Sequence, residues 1–295
     1  MKILCAIDGS RYSRCAFQAL PYLKIGADSS VTLLHVVNTD QLKVNKRMSP
    51  EANQAIAKAR AMAEAGGHTL LTSFEKAAPA QWGCVQSQVV KGRPAAAITR
   101  FARRQGCDLI VIGCRGLTEF RSFLLGSVSR RVLTEAPCSV LVIKRRVRAL
   151  QNVLIGVDGS KDARAAVELL LRLRPSNEIN ATVVSVVPPM PLEADTAPEE
   201  LLTVMDDVRR PLEKQAYEIA EQSVKRLRGA GAKATACVVH GHVGRELVEL
   251  ARLSKAALIV VGSRGQTGST RYLLGSVSET VVKYADCPVL IFRRS

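Results

Sequence analysis

Gly262-Ser263-Arg264-Gly265, nine further residues and then Gly275-Ser276 follow directly on the apolar run Ala257-Leu258-Ile259-Val260-Val261. An apolar run, a glycine loop and a helix start, in that order, suit the binding of a phosphate. Glycine has no Cβ, so the backbone can take positive φ and come close to a ligand. Ser276 stands where the N-cap of a helix through Val277-Ser278-Glu279-Thr280-Val281-Val282 is expected. Unpaired N–H groups at such a helix start, with the positive end of the helix dipole, form an anion site. The pattern occurs a second time as Gly113-Cys114-Arg115-Gly116, nine residues and Gly126-Ser127, after Leu109-Ile110-Val111-Ile112, with every glycine and the serine displaced by 149 positions. Ser127 is likewise the expected N-cap of a helix over Val128–Leu133. A single copy would suit an ordinary strand-to-helix connection; two copies in register point to phosphate.

Other reactive side chains are less suggestive. His35 lies in an apolar strand pattern and has Ser185 as its counterpart, while His240 and His242 have Lys91 and Arg93 as theirs, so a basic turn is expected there and not a metal pair. The eight cysteines are scattered without a CxxC pair and read as buried, reduced thiols. Cys114 stands apart because it lies inside a glycine loop, where amides could stabilise a thiolate.

The elements that must carry the loops also repeat. Lys2–Ile7 reads as a strand ending in Asp8-Gly9-Ser10, and Val153–Val157 as a strand ending in Asp158-Gly159-Ser160, each followed by helical spacing. Second strands are expected at Val31–Val37 and Ala181–Val187, third strands at Cys84–Lys91 and Lys233–His240, and fifth strands at Cys138–Lys144 and Pro288–Phe292. Between the second and third strands of the first half, residues 51–65 and 68–78 are both helical in pattern, and Gly66-Gly67 is expected to separate two helices. In the second half Pro188, Pro189, Pro191 and Pro198 suggest an irregular loop before a helix around Asp206–Arg228. Five strands alternating with four helices in each half predict an α/β fold of two doubly wound, five-stranded parallel-sheet domains, at 1–147 and 148–295. Ligands of such sheets bind beyond the carboxyl ends of the strands, where Asp8 and Asp158 would meet the glycine loops if the first and fourth strands are neighbours.

Composition narrows the classes. The chain of 295 residues is 47% hydrophobic and only 4% aromatic, which favours buried parallel strands over an aromatic binding face. Its net charge of +16 is uneven: residues 1–148 hold 23 Lys and Arg against 9 Asp and Glu, and residues 149–295 hold 19 against 17. The excess gathers in Arg93, Arg100, Arg103, Arg104, Arg115, Arg121, Arg130 and Arg131, and in Lys144-Arg145-Arg146 and Arg148, a surface suited to an anionic protein, nucleic acid or lipid partner or simply to water. Stacking platforms for single-stranded nucleic acid are scarce. No secretion signal is legible, and no apolar stretch approaches the ~20 residues that span a bilayer; the expected location is cytoplasmic.

With both G-x2-G-x9-G-[ST] patterns, the D-G-S turns, Leu33-Leu34-His35-Val36 and the closing runs Pro137–Val142 and Cys287–Leu290, the whole chain resembles a tandem universal stress protein. The resemblance implies a flavodoxin- or Rossmann-like fold, two halves related by a pseudo-two-fold, and ATP or a related adenine nucleotide in each. Ala6, Asp8, Val36, Ile112 and Val128 match positions near base and ribose, as do Gly156, Asp158, Val186, Val261 and Val277. Gly113, Arg115, Gly116, Gly126 and Ser127, and Gly262, Arg264, Gly265, Gly275 and Ser276, would hold the phosphates, with Mg²⁺ carried by the phosphates. No metal ligand or catalytic residue is implied. The family's edge strands also imply an intramolecular pseudo-dimer, with homodimers an option, and a short exposed linker at Arg145–Gln151. An enzyme remains the alternative, as a slow ATPase or phosphotransferase. Against it, neither loop contains Lys, there is no G-x4-G-K-[ST], and Glu119, the acidic residue of the first loop, is replaced by Gly268 in the second.

Overall fold

The computed structural model describes residues 1–294 except 24, 26, 27, 40–48, 80, 81, 83, 118–124, 174–178, 190–198 and 266–273, and only the backbone of 199–205. Arg121, Glu119, Gly268, Pro191 and Pro198 lie outside the described residues. The chain forms two compact units whose boundary falls between Arg148 and Ala149.

The first unit runs β1 (Lys2–Ala6), α1 (Arg11–Ala19), β2 (Ser30–Val37), α2 (Pro50–Lys76), β3 (Cys84–Lys91), α3 (Pro94–Gln105), β4 (Leu109–Gly113), α4 (Ser127–Glu135) and β5 (Ser139–Ile143). Its strands pair in parallel in the order β3-β2-β1-β4-β5. The second repeats this as β6 (Asn152–Gly156), α5 (Lys161–Leu173), β7 (Asn180–Val187), α6 (Glu199–Gly229), β8 (Lys233–His240), α7 (Val243–Leu253), β9 (Leu258–Gly262), α8 (Ser276–Tyr284) and β10 (Val289–Phe292), in the order β8-β7-β6-β9-β10, again parallel. Each unit is thus a doubly wound α/β sheet.

The apolar runs go where both faces are covered. Every residue of β4 and β5 is buried, whereas β3, CVQSQVVK, alternates between exposed and half-buried. A strand covered on both sides must be apolar throughout, and one with a partly wet face can alternate. In the first unit α1 packs on β4 and β5, α2 on β2 and β3, and α3 beside α4. Phe17 of α1 meets Phe74 of α2 edge-on, with ring centroids 5.0 Å apart, and Trp82 at 5.5 Å. The order β3-β2-β1 followed by a return to β4 puts the switch point between β1 and β4, and in the second unit between β6 and β9.

The expected break at Gly66-Gly67 is absent: α2 is a single 27-residue helix that runs through both glycines. Gly67 serves close approach to the sheet. A Cβ there would lie 2.6 Å from His35 Cδ2 and 3.4 Å from Val89 Cγ1, whereas nothing lies within 4 Å of one at Gly66. The His35 ring is itself held, its Nδ1 2.8 Å from the Ile7 carbonyl oxygen. Gly66→Ala is therefore expected to stabilise the first unit by about 0.5–1 kcal/mol through helix propensity, and Gly67→Ala to destabilise it by about 1–3 kcal/mol through overpacking. Denaturant melts of the two variants check this; equal shifts would remove the packing role of Gly67. The corresponding helix of the second unit, α6, is also longer than expected, beginning at Glu199.

Candidate functional site

Each D-G-S turn is built the same way. Gly9 and Gly159 have φ of +82° and +77°, a conformation that side chains disfavour. The Ser10 N–H donates to Asp8 Oδ1 and the Ser160 N–H to Asp158 Oδ1, both at 2.9 Å. Ser10 Oγ in turn accepts from the Ser13 N–H and Ser160 Oγ from the Ala163 N–H, each at 3.1 Å, starting α1 and α5. One carboxylate oxygen of each aspartate thus belongs to the turn. The other faces the glycine loop: a Cβ on Gly116 would lie 2.8 Å from Asp8 Oδ2, and one on Gly265 2.7 Å from Asp158 Oδ2.

The expectation of positive φ at the loop glycines is corrected. None of Gly113, Gly116, Gly262 or Gly265 has φ in the left-handed region. They permit close packing: a Cβ on Gly113 would lie 2.7 Å from the Tyr12 backbone, and one on Gly262 3.1 Å from Asp162 Cβ. The expected serine caps are also displaced by one residue. Gly126 and Gly275 are the N-caps, extended at φ −76° and −64°, and Ser127 and Ser276 are the first helical residues. The cap glycines turn their N–H groups back to the Cys114 and Ser263 carbonyls at 2.8 and 2.9 Å, and a Cβ at Gly275 would crowd Ser263 O at 3.2 Å. N–H groups in a first helical turn have no intrahelical acceptor, so the anion-binding logic survives the shift.

A serine missed by sequence reasoning secures each helix start. Ser129 Oγ donates to Cys114 O at 2.8 Å and Ser278 Oγ to Gly262 O at 2.6 Å. The signal was available, because this serine also recurs 149 positions later.

In the second unit these elements enclose a cavity of about 650 Å³. Gly156, Asp158, Val186, Val261, Gly262, Arg264, Gly265, Gly275, Ser276 and Val277, the ten residues singled out from this half, all line it. Its remaining walls include Ser185 on β7, Leu247 on α7 and the α6 face of Leu212, Gln215, Ala216 and Ile219. In the first unit Ala6 ends β1, Val36 lies in β2, Ile112 and Gly113 end β4, Arg115 and Gly116 form the loop, and Gly126, Ser127 and Val128 open α4. Pairing of β1 with β2 and β4 brings these strand ends side by side, and Leu70 of α2 approaches Gly9, its Cδ2 3.5 Å from the position of a Cβ there.

The loop arginines are anchored differently. Arg264 Nε lies 3.5 Å from Asp162 Oδ2, which also accepts from Ser263 Oγ at 3.2 Å. Arg115 instead approaches Tyr12, Nη1 3.5 Å from the phenol oxygen and Cζ 5.8 Å from the ring centroid. Cys114 is buried, as is Cys5, whose thiol is pushed up to about 12 by burial; reactive thiols need more exposure.

His240 Nε2 lies 2.8 Å from Glu213, and at the matching positions Lys91 lies 3.0 Å from Glu64. Among the described residues no group of three or more His, Cys, Asp or Glu could hold a metal ion, and no helix is long and apolar enough to cross a membrane. Arg100, Arg103, Arg104, Arg130 and Arg131 are exposed on α3 and α4, whereas α7 and α8 carry Glu249 and Glu279 at the positions of Arg100 and Arg130.

The family model described as "Universal stress protein family" matches residues 1–144 and again 149–293. The chain belongs to the universal stress protein family. Among curated universal stress proteins, Rv2623 of Mycobacterium tuberculosis is 32% identical over 218 residues, 72% of this chain and 69% of that protein. Mb2028c of Mycobacterium bovis is 29% identical over 288 residues, covering 90% and 88%. The crystal structure of a universal stress protein from Archaeoglobus fulgidus superposes with a TM-score of 0.66 at 20% identity, covering 100% of this chain and 96% of that one, a likeness of fold.

Proposed function

We propose that each unit of this universal stress protein binds one adenine nucleotide, ATP in the first instance, and that the chain acts as a nucleotide-dependent regulator in the stress response. The observation that carries this reading is the cavity of the second unit, where a strand-end carboxylate, a loop arginine and the first turn of a helix converge. Its volume of about 650 Å³ lies within the ~300–1,000 Å³ usual for ligand sites. Apolar walls from Val186, Val261 and Val277 suit a base, Asp158 suits ribose hydroxyls as an acceptor, and the amides of Ser276–Ser278 with Arg264 suit phosphates.

Binding is favoured over hydrolysis by the lining itself. Among the described residues that form the cavity, the titratable ones are Asp158 and Arg264. Asp158 already holds its turn, which leaves it poorly placed to activate a water beside a γ-phosphate. Mg²⁺ would be held by phosphate oxygens and water, as is usual for that ion.

Denaturing the purified chain and identifying the released small molecules by mass spectrometry tests the reading. Adenine nucleotide approaching two per chain is expected. The reading is overturned if none is released and if stripped protein takes up neither ATP, ADP nor AMP in a calorimeter.

A further inference from the structure

The fourth residue after the strand-end aspartate differs between the units: Tyr12 in the first, Asp162 in the second. Asp162 lies in the first turn of α5 and is 7% exposed. A buried carboxylate is costly unless it is paired. Here it has Ser263 Oγ at 3.2 Å and Arg264 Nε at 3.5 Å. The first unit changes two of these three residues together, with Cys114 for Ser263 and Tyr12 for Asp162, while the arginine stays. There Nη1 of Arg115 turns to the Tyr12 hydroxyl, and its Nε is buried without a partner.

Two consequences follow for the site. Arg264 lines the cavity, and Asp162 holds it from behind Gly262, with Nε 3.5 Å from Asp162 Oδ2. Asp162 also sets beside the second loop a carboxylate that Tyr12 does not supply in the first; because the first loop carries Glu119 where the second has Gly268, and α4 carries Arg130 where α8 has Glu279, the effect of that charge is isolated only by changing residues 12 and 162 themselves. Each further phosphate on a nucleotide adds negative charge beside that carboxylate, and like charges at short range oppose binding.

We propose that Asp162 is a positioning and specificity-determining residue that biases the C-terminal site toward adenine nucleotides with fewer phosphates. The inference rests on the proposed nucleotide reading and adds a selectivity to it.

The test uses the full chain, stripped of nucleotide, in two backgrounds: Gly116→Val to report the C-terminal site and Gly265→Val to report the N-terminal one. Adenosine, AMP, ADP and ATP are titrated calorimetrically in EDTA. In the Gly265→Val background, Tyr12→Asp, which supplies that carboxylate to the N-terminal loop, is expected to lower the ATP-to-AMP affinity ratio by roughly fifteenfold, the effect of the two further charges of ATP on one unit charge at about 10 Å through an effective dielectric of roughly 40. Asp162→Asn, which keeps the acceptor for Ser263 Oγ, should raise the C-terminal ratio by the same factor and leave adenosine affinity unchanged. Added salt should shrink both changes.

An unchanged ratio in Asp162→Asn overturns the inference and, should that variant fold poorly, so does an unchanged ratio in Tyr12→Asp. A loss of adenosine and nucleotide affinity alike in Asp162→Asn also overturns it, since that is the mark of a structural role. Failure of wild-type protein to bind any of the four compounds is a separate result: it removes the nucleotide reading and this inference with it.

Discussion

Replacing Gly265 with Val is expected to empty the C-terminal site without unfolding the unit. Gly265 does not have the left-handed φ that would make any side chain strained, so the backbone itself tolerates the change. Space does not: a Cβ would stand 2.7 Å from Asp158 Oδ2, well inside van der Waals contact, and valine adds two methyl groups beyond it. Either the loop moves away from the helix start or the carboxylate leaves its turn. Both separate groups that must act together on one ligand, and affinity should fall by about thirtyfold or more, equivalent to ~2 kcal/mol. Gly116→Val should do the same in the first unit, where the corresponding distance to Asp8 Oδ2 is 2.8 Å. Calorimetry on stripped protein should give two nucleotides per chain for wild type, one for either variant and none for the double variant. Full binding by the double variant would show that the glycine loops serve only the packing of the fold.

The loop was legible because it is local. Its glycines, the D-G-S turns and the apolar runs of β4 and β9 are short patterns, and duplication within one chain separates them from chance. The third strands could be placed at Cys84–Lys91 and Lys233–His240 because each alternates or runs apolar up to a glycine. What the glycines do was not legible. Gly67 looks like a helix breaker until His35, 32 positions away in the chain, is found against it. The glycine loops look like places for positive φ until Asp8 and Asp158 are found beside Gly116 and Gly265. In each case a missing side chain makes room for a neighbour, and the neighbour is distant in sequence. The same holds for the rest of the C-terminal site. Ser263 and Asp162 are bonded across 101 positions, and the α6 wall of Leu212, Ala216 and Ile219 shows helical spacing, but nothing in that spacing tells which cavity the helix covers.

Asp158 holds its turn and is also the proposed acceptor for the ribose, and two substitutions separate these roles. Asn keeps an oxygen to accept the Ser160 N–H, now 2.9 Å from Oδ1, and removes the charge. Ala removes both. Asp158→Asn should therefore melt within about 0.5 kcal/mol of wild type, while Asp158→Ala should lose about 1 kcal/mol, the net value of one hydrogen bond at the start of α5. Binding should respond differently. A ribose hydroxyl donating to a carboxylate makes a charge-assisted bond, stronger than one to a neutral amide, so both variants should weaken the C-terminal site. Asp158→Ala should cost about 1.5–3 kcal/mol, roughly tenfold to 150-fold in affinity, and Asp158→Asn rather less. Asp8→Asn and Asp8→Ala should reproduce the pattern in the first unit. Denaturant melts give the stability terms, and titration in the Gly116→Val background gives the C-terminal affinities. If Asp158→Ala lowers stability as expected and leaves affinity at the wild-type value, the aspartate is a turn residue alone, and nucleoside recognition must come from the apolar walls and the α6 face.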